Sequence, residues 1–183
     1  MADYKKIRYE MNAGIARITL DRPEKRNALD AEVISNLKAA LQEAAAAPVR
    51  VVALTGAGSD FCSGADLDAL RTTFENGPLE NISEARAMAE LFQALRGHRC
   101  PVVAVVKGRA LAGGCGLASA CDIVLAQESS RFGYPEVNIG FIPAMVMAIL
   151  RRSVSEKRAF EWIVSGGIFS AQAAYAAGLV TQV

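Results

Sequence analysis

Residues 49–66 read Val49-Arg50-Val51-Val52-Ala53-Leu54-Thr55-Gly56-Ala57-Gly58-Ser59-Asp60-Phe61-Cys62-Ser63-Gly64-Ala65-Asp66. The first part, Val49–Thr55, is an apolar run of the kind found in a strand covered on both faces. The second part is rich in turn residues. A strand followed by Gly56-Ala57-Gly58 looks like the opening of a dinucleotide-binding unit, but the third glycine of that pattern is due at position 61, and Phe61 stands there. With that side chain present a helix cannot pack close behind a pyrophosphate. What remains is a buried strand that ends in a glycine-containing turn.

The same design recurs downstream. Pro101–Val106 reads as a second buried strand ended by Gly108, and Leu111-Ala112-Gly113-Gly114-Cys115-Gly116 leads into a helix of small residues. Ile123–Ala126 reads as a third strand. Upstream, Gly14–Leu20 alternates as a half-buried strand, broken by Asp21-Arg22-Pro23. A helix is expected from Asp30, its N-cap, with Val33, Ile34, Leu37 and Leu41 on the buried side and Pro48 closing it. Asn76-Gly77-Pro78 reads as a loop, and Ser83 as the cap of a helix that presents Met88, Leu91, Phe92 and Leu95 on one face. Further helices are expected at Met145–Arg152, Glu156–Ser165 and Ala171–Ala177. Strand and helix alternate without repeats or a Pro/Gly/Ser-rich linker. The expected architecture is therefore α/β, built of ββα-like turns, in one domain over residues 1–183.

Composition narrows the function. Hydrophobic residues make up 52% of the 183, enough for a real core. Twenty basic against nineteen acidic residues leave a net charge of +1, so no overall field draws nucleic acid. His98 is the only histidine, which disfavours a zinc site or a Ser-His-Asp triad. Cys62, Cys100, Cys115 and Cys121 form no Cys-x-x-Cys pair and are expected as buried small hydrophobes, with no metal bound. The N-terminus lacks an apolar signal stretch, and the most apolar windows are too short to span a bilayer, so a cytoplasmic protein without a membrane partner is expected.

Two features suggest chemistry. Gly64-Ala65-Asp66 and Gly113-Gly114 each follow a buried strand and open a helix, where the first N–H groups lack internal partners and point outward. Two such turns brought together would offer two donors to one carbonyl oxygen, as an enolate-forming reaction needs. Taken singly, each is better explained by tight turns or close packing. Glu136 follows Pro135 among Phe132, Tyr134, Ile139 and Phe141, where a carboxylate can gain a raised pKa and act as a base, although by itself it is better explained as a solvated loop glutamate.

The order of these motifs closely resembles the enoyl-CoA hydratase/isomerase (crotonase) family. The resemblance rests on Arg22-Pro23-Glu24-Lys25-Arg26-Asn27-Ala28-Leu29, Phe61 to Asp66, Gly108 to Asp122 and Phe132 to Pro143, and covers about Arg17 to Val183. It implies a crotonase-like spiral of ββα turns and an acyl-CoA thioester substrate, with coenzyme A as part of the substrate and no permanently bound cofactor. By matching positions it implies an oxyanion hole made by the Ala65 and Gly113 amides and Glu136 as the catalytic acid/base. Lys25, Arg26, Ala28, Asp66 and Leu67 match the coenzyme A path, and a homotrimer or hexamer is the implied assembly.

Two departures from the family stand out. Hydratases usually carry a second acidic residue in the glycine-rich helix, and that position is Gly116 here. A single carboxylate suits moving a proton between carbons, so double-bond isomerisation is favoured over hydration of a 2-enoyl-CoA. Thioester hydrolysis, decarboxylation, or a non-catalytic or RNA-binding role are the remaining readings. The chain also stops at Val183, where relatives continue into further helices, so the usual C-terminal part of the fold is expected to be missing.

Overall fold

The computed structural model describes residues 4–66, 68, 69, 71 and 75–183. Strands β1 (Ile7–Asn12), β2 (Ile15–Leu20), β3 (Val51–Gly56), β4 (Val102–Val106) and β6 (Ile123–Ala126) form one sheet in the order β1-β2-β3-β4-β6. β1 runs antiparallel to β2, and the remaining pairs are parallel. A second sheet joins β5 (Arg109–Leu111), β7 (Arg131–Gly133) and β8 (Ile168–Ser170). Helices α1 (Ala31–Ala46), α2 (Pro78–Arg96), α3 (Gly113–Ala120), α4 (Ala144–Leu150), α5 (Glu156–Ser165) and α6 (Ala171–Ala176) pack around the sheets. The α/β architecture expected from the sequence is the one observed.

Helix α1 starts where the sequence indicates. The Asp30 carboxylate accepts the Val33 amide at 2.9 Å, and Val33, Leu37, Ala40, Leu41 and Ala44 are buried. Three expectations change. The strand at Val51–Gly56 is not covered on both faces: Val52, Leu54 and Gly56 are buried, while Val51, Ala53 and Thr55 stay half-buried. The segment read as a loop with a helix beginning at Ser83 instead starts α2 at Pro78. Gly77 is the N-cap, and the Glu80 carboxylate accepts the Gly77 amide at 2.7 Å, which closes the first turn from within. Finally, β1 was not anticipated, nor were the three-residue strands β5, β7 and β8, which are too short to show a period.

The four cysteines are buried and free. Burial pushes the Cys62 and Cys115 thiols up to about 12, so both stay protonated and behave as small hydrophobes. Among the described residues no helix is long and apolar enough to cross a membrane.

One ion pair ties the ends of β3 and β4 together. Asp60 is 4% exposed and accepts from Arg109 three times: from Nε at 2.9 Å, from Nη2 at 2.9 Å and from the backbone amide at 3.0 Å. The Arg109 guanidinium, against an opposing cost of burial, holds the Asp60 carboxyl below its usual range. A carboxylate with a lowered native pKa stabilises the fold above its unfolded pKa, about 4, and that gain is lost as pH falls through the native value. Water reaches the Arg109 side chain, 41% exposed, and screens the pair. Asp60→Asn is expected to cost about 2 kcal/mol at neutral pH and to flatten the acid limb of the stability curve. Urea unfolding from pH 7 to 3 checks this; an unchanged acid limb would mean that Asp60 does not carry it.

Candidate active site

Residues 21–29, 57–66 and 107–112 each follow the carboxyl end of a parallel strand (β2, β3 and β4), the end of an α/β sheet where ligands usually bind. Backbone bonds knit them into a pad. Ser63 donates to Arg26 O at 3.1 Å, Leu29 to Gly64 O at 2.8 Å and Asp66 to Leu29 O at 2.8 Å. On the other side, Cys62 donates to Arg109 O at 3.1 Å and Leu111 to Cys62 O at 3.0 Å.

This pattern decides where the Ala65 amide points. Ala65 bridges Leu29 in parallel, and such a bridge uses the carbonyl before Ala65 and the amide after it. The N–H of Ala65 itself therefore faces away from Leu29, toward the start of α3. Gly113 is the first residue of α3, so its N–H has no intrahelical acceptor. Neither amide has an acceptor among the described residues. The two lie close together: a Cβ built on Gly113 would sit 4.0 Å from Ala65 N, and one built on Gly64 would sit 3.2 Å from Gly113 N.

Glycine makes that approach feasible. Gly64 has φ +94°, and a Cβ there would meet the Ala112 Cβ at 2.7 Å and Leu111 O at 3.0 Å. Gly114 is equally constrained, since its Cβ would fall 2.3 Å from Cys62 O. Ala112 adopts φ 52°, ψ −128°, a conformation that costs an alanine about 1–3 kcal/mol. Its amide donates to Gly133 O at 2.8 Å and its carbonyl accepts from Gly116 at 3.0 Å, and these bonds hold the turn in place.

Glu136 lies in a 3₁₀ turn, Pro135–Ile139, directly after β7. It is half-buried, and its Oε2 is fully buried without a hydrogen-bond partner. Burial raises its pKa, only partly offset by its own backbone amide. Its charge is felt at Cys115, in the first turn of α3, and at Tyr134. Tyr134 is completely buried, with its hydroxyl 3.2 Å from Ser119 Oγ. Ser119 Oγ donates to Cys115 O at 2.7 Å, so the tyrosine is the donor of the pair, and the turn carrying Glu136 is fastened to α3.

The residues matched to a coenzyme A path fall in two groups. Lys25 and Arg26 are exposed; Lys25 pairs with Asp68 at 2.9 Å. Ala28 and Asp66 are buried and bound to Arg22, which donates to Ala28 O at 2.8 Å and to Asp66 Oδ2 at 2.9 Å. Burial pushes the Asp66 carboxyl up, but the Asp68 amide, Arg22 and Lys25 outweigh it and hold the group below the usual range. The Asp66 side chain thus braces the pad. Leu67 lies outside the described residues.

Sequence reasoning missed the brace and one wall. Arg22, 12% exposed, also reaches Asp30 at 3.1 Å, yet in the sequence it reads as a strand breaker and a member of the Arg22–Leu29 motif, with no sign of its partners. Asn27 is buried and donates to Ala57 O at 2.9 Å and Asp60 O at 2.8 Å; its position within Arg22–Leu29 was the available signal. At Gly116 a side chain would enter an apolar wall, with its Cβ 2.9 Å from Val146 Cγ2 and 3.1 Å from Phe92 Cζ. No local pattern announces that contact, since the three residues come from three helices.

Comparison with known proteins identifies the family to which the chain is similar. The family model described as enoyl-CoA hydratase/isomerase matches residues 10–183. A Thermus thermophilus protein provisionally named an enoyl-CoA hydratase is 43% identical over 170 residues, 92% of this chain and 67% of its own length. The 2,3-dehydroadipyl-CoA hydratase of Escherichia coli is 37% identical over 168 residues, 91% of this chain and 64% of its own. Human enoyl-CoA hydratase domain-containing protein 3, mitochondrial, is 35% identical over 93% of this chain and 56% of its own. The chain thus spans between about half and two thirds of these relatives. Among solved structures, an enoyl-CoA hydratase/isomerase of Xanthobacter autotrophicus superposes with TM-score 0.93 at 38% identity, covering 99% of this chain and 67% of that one.

The contact between the two turns can be tested by filling it. Gly64→Ala is expected to cost about 3 kcal/mol, from clash and from the left-handed backbone together. Gly140→Ala, also at positive φ but with nothing within 4 Å of its Cβ, should cost only about 1 kcal/mol. Urea midpoints separate the two, and equal losses would mean that Gly64 and Ala112 do not touch.

Proposed function

The chain belongs to the enoyl-CoA hydratase/isomerase family, and from that premise we propose that it acts on acyl-CoA thioesters as a double-bond isomerase. The observation that carries this reading is two partnerless amides, Ala65 and Gly113, together with a half-buried carboxylate, Glu136, one oxygen of which is buried without a partner. The thioester oxygen accepts from both amides, which stabilise the negative charge that grows on it. Glu136 takes a proton from the carbon beside the thioester carbonyl of a 3-enoyl-CoA. The electrons delocalise into a dienolate, and Glu136 returns the proton to the γ carbon, giving the 2-enoyl-CoA. A base with a raised pKa is better matched to a weakly acidic carbon than an ordinary surface carboxylate. Lys25 and Arg26 are the exposed cations available to the phosphates of coenzyme A.

Hydration of a 2-enoyl-CoA is the second reading, favoured by the names of the relatives. It calls for a second group to orient water. The family's position for that group is Gly116, and the space beside it is occupied by the apolar atoms of Val146 and Phe92. That filling supports proton shuttling by a single carboxylate.

Assaying 3-hexenoyl-CoA against 2-hexenoyl-CoA separates the readings; isomerisation is expected to exceed hydration, and the reverse order would favour the hydratase. Glu136→Gln keeps the shape and removes the base, so turnover should fall about a thousandfold while acyl-CoA binding persists. In the wild type the deprotonated form is the active base, so the rate should rise with pH through a value above the usual carboxylate range, as burial of Glu136 requires. Activity within a few fold of wild type in Glu136→Gln would exclude this residue as the base.

A further inference from the structure

Two hydroxyls meet in the core behind Glu136, and the proton-transfer chemistry uses neither. Tyr134 and Ser119 are both buried, with their oxygens 3.2 Å apart. Ser119 is the one hydroxyl-bearing residue of α3, a helix otherwise made of glycine, alanine, leucine and cysteine. The tyrosine ring packs among aromatic neighbours: Phe169 lies 6.3 Å from it and itself stacks on Trp162 at 3.8 Å. A phenylalanine at position 134 would fill that space as well. Replacing both partners of a buried hydrogen bond by apolar groups of the same shape is nearly neutral for stability, so packing alone does not call for this pair. What the bond adds to an apolar core is one defined position.

That position is passed on in two directions. Toward Glu136 the link is Pro135, whose ring fixes its own φ and restricts the backbone of Tyr134 before it. Few soft torsions therefore separate the phenol from the carboxylate. Toward the amides the link is α3 itself. Ser119 Oγ donates to Cys115 O at 2.7 Å, one turn earlier, and Cys115 follows Gly113 by two residues. The Ala112 amide closes the circuit by donating to Gly133 O at 2.8 Å. Gly113, Ser119, Tyr134, Gly133 and Ala112 thus form one closed frame, and Glu136 stands two residues outside it.

We infer that Tyr134 is a positioning residue: its hydroxyl, held by Ser119, fixes the Glu136 carboxylate relative to the Gly113 amide. The inference rests on the reading of Glu136 as the base, whichever enoyl-CoA reaction that base serves. Tyr134 is completely buried and offers no surface to a ligand, so it acts through Glu136. The effect falls on rate and not on binding, since displacing a catalytic group by about 1 Å costs up to about a hundredfold.

The test combines steady-state kinetics, calorimetry and urea unfolding, with 3-hexenoyl-CoA or 2-hexenoyl-CoA as substrate, whichever the wild type turns over faster. Tyr134→Phe/Ser119→Ala removes both hydroxyls together. Its urea midpoint should stay close to wild type and its Kd for hexanoyl-CoA within about twofold, while kcat falls about tenfold or more. Tyr134→Phe alone should lose as much kcat, because either change breaks the same bond. This single variant leaves Ser119 Oγ bonded to Cys115 O and carries the test if the double variant does not fold. Tyr175→Phe, which removes a phenol at a position 49% exposed on α6, should keep the wild-type kcat. A folded double or single variant with kcat within about twofold of wild type would overturn the inference and leave Glu136 as the base. An equal loss in Tyr175→Phe would also overturn it. Near-wild-type turnover in Glu136→Gln would overturn it together with the base reading.

Discussion

The site depends on a contact with no room in it. Gly64 and Ala112 approach so closely that a single methyl group on Gly64 would lie 2.7 Å from the Ala112 Cβ. That approach brings together two turns that are far apart in sequence, and with them the amides of Ala65 and Gly113. It also explains the surrounding brace. The Arg22–Asp66 pair, Asn27 bonded to Ala57 and Asp60, and Asp60 bonded to Arg109 each tie one of the three strand-end segments to its neighbour. Rigid backbone donors cost no reorganisation when charge develops on a substrate oxygen, and this bracing supplies the rigidity.

The chemistry around the donors is asymmetric. Glu136 has one buried oxygen without a partner, and the surroundings of Gly116, in the helix that Gly113 opens, are apolar. Burial raises the carboxyl's pKa, while the fully buried Tyr134 is hydrogen-bonded to Ser119 and anchors the turn that carries it. On the proposed reading, a partly buried carboxylate acting by itself is suited to taking and returning a proton. It is poorly equipped to hold a water molecule, which needs two or more polar partners.

Much of this was legible in the sequence, because the period of apolar residues and the chemistry of glycine are local. The strands β2, β3, β4 and β6 and helix α1 with its Asp30 cap were readable from neighbouring residues, whereas the two glycine turns and Glu136 stood out only through the order of motifs shared with the family. The short strands β5, β7 and β8 were not, since three residues carry no period and their pairing is set by partners elsewhere in the chain. The start of α2 was missed because Pro78 reads as a breaker, although proline is well suited to the first turn of a helix. The wall of Val146 and Phe92 against Gly116 and the brace through Arg22 are tertiary contacts between distant residues. Only the fold reveals that an arginine beside a proline is nearly buried and holds two carboxylates.

The claim that two backbone amides polarise one thioester oxygen has a direct spectroscopic test. A hexanoyl-CoA labelled with carbon-13 at the carbonyl, bound to the Glu136→Gln protein, reports on that oxygen through its infrared stretch. Two amide donors at Ala65 and Gly113 should move the bound carbonyl band to lower wavenumber than that of the free ester in water. A bound ester whose carbonyl band stays at the free position, in a complex verified by calorimetry, would contradict the oxyanion-hole assignment.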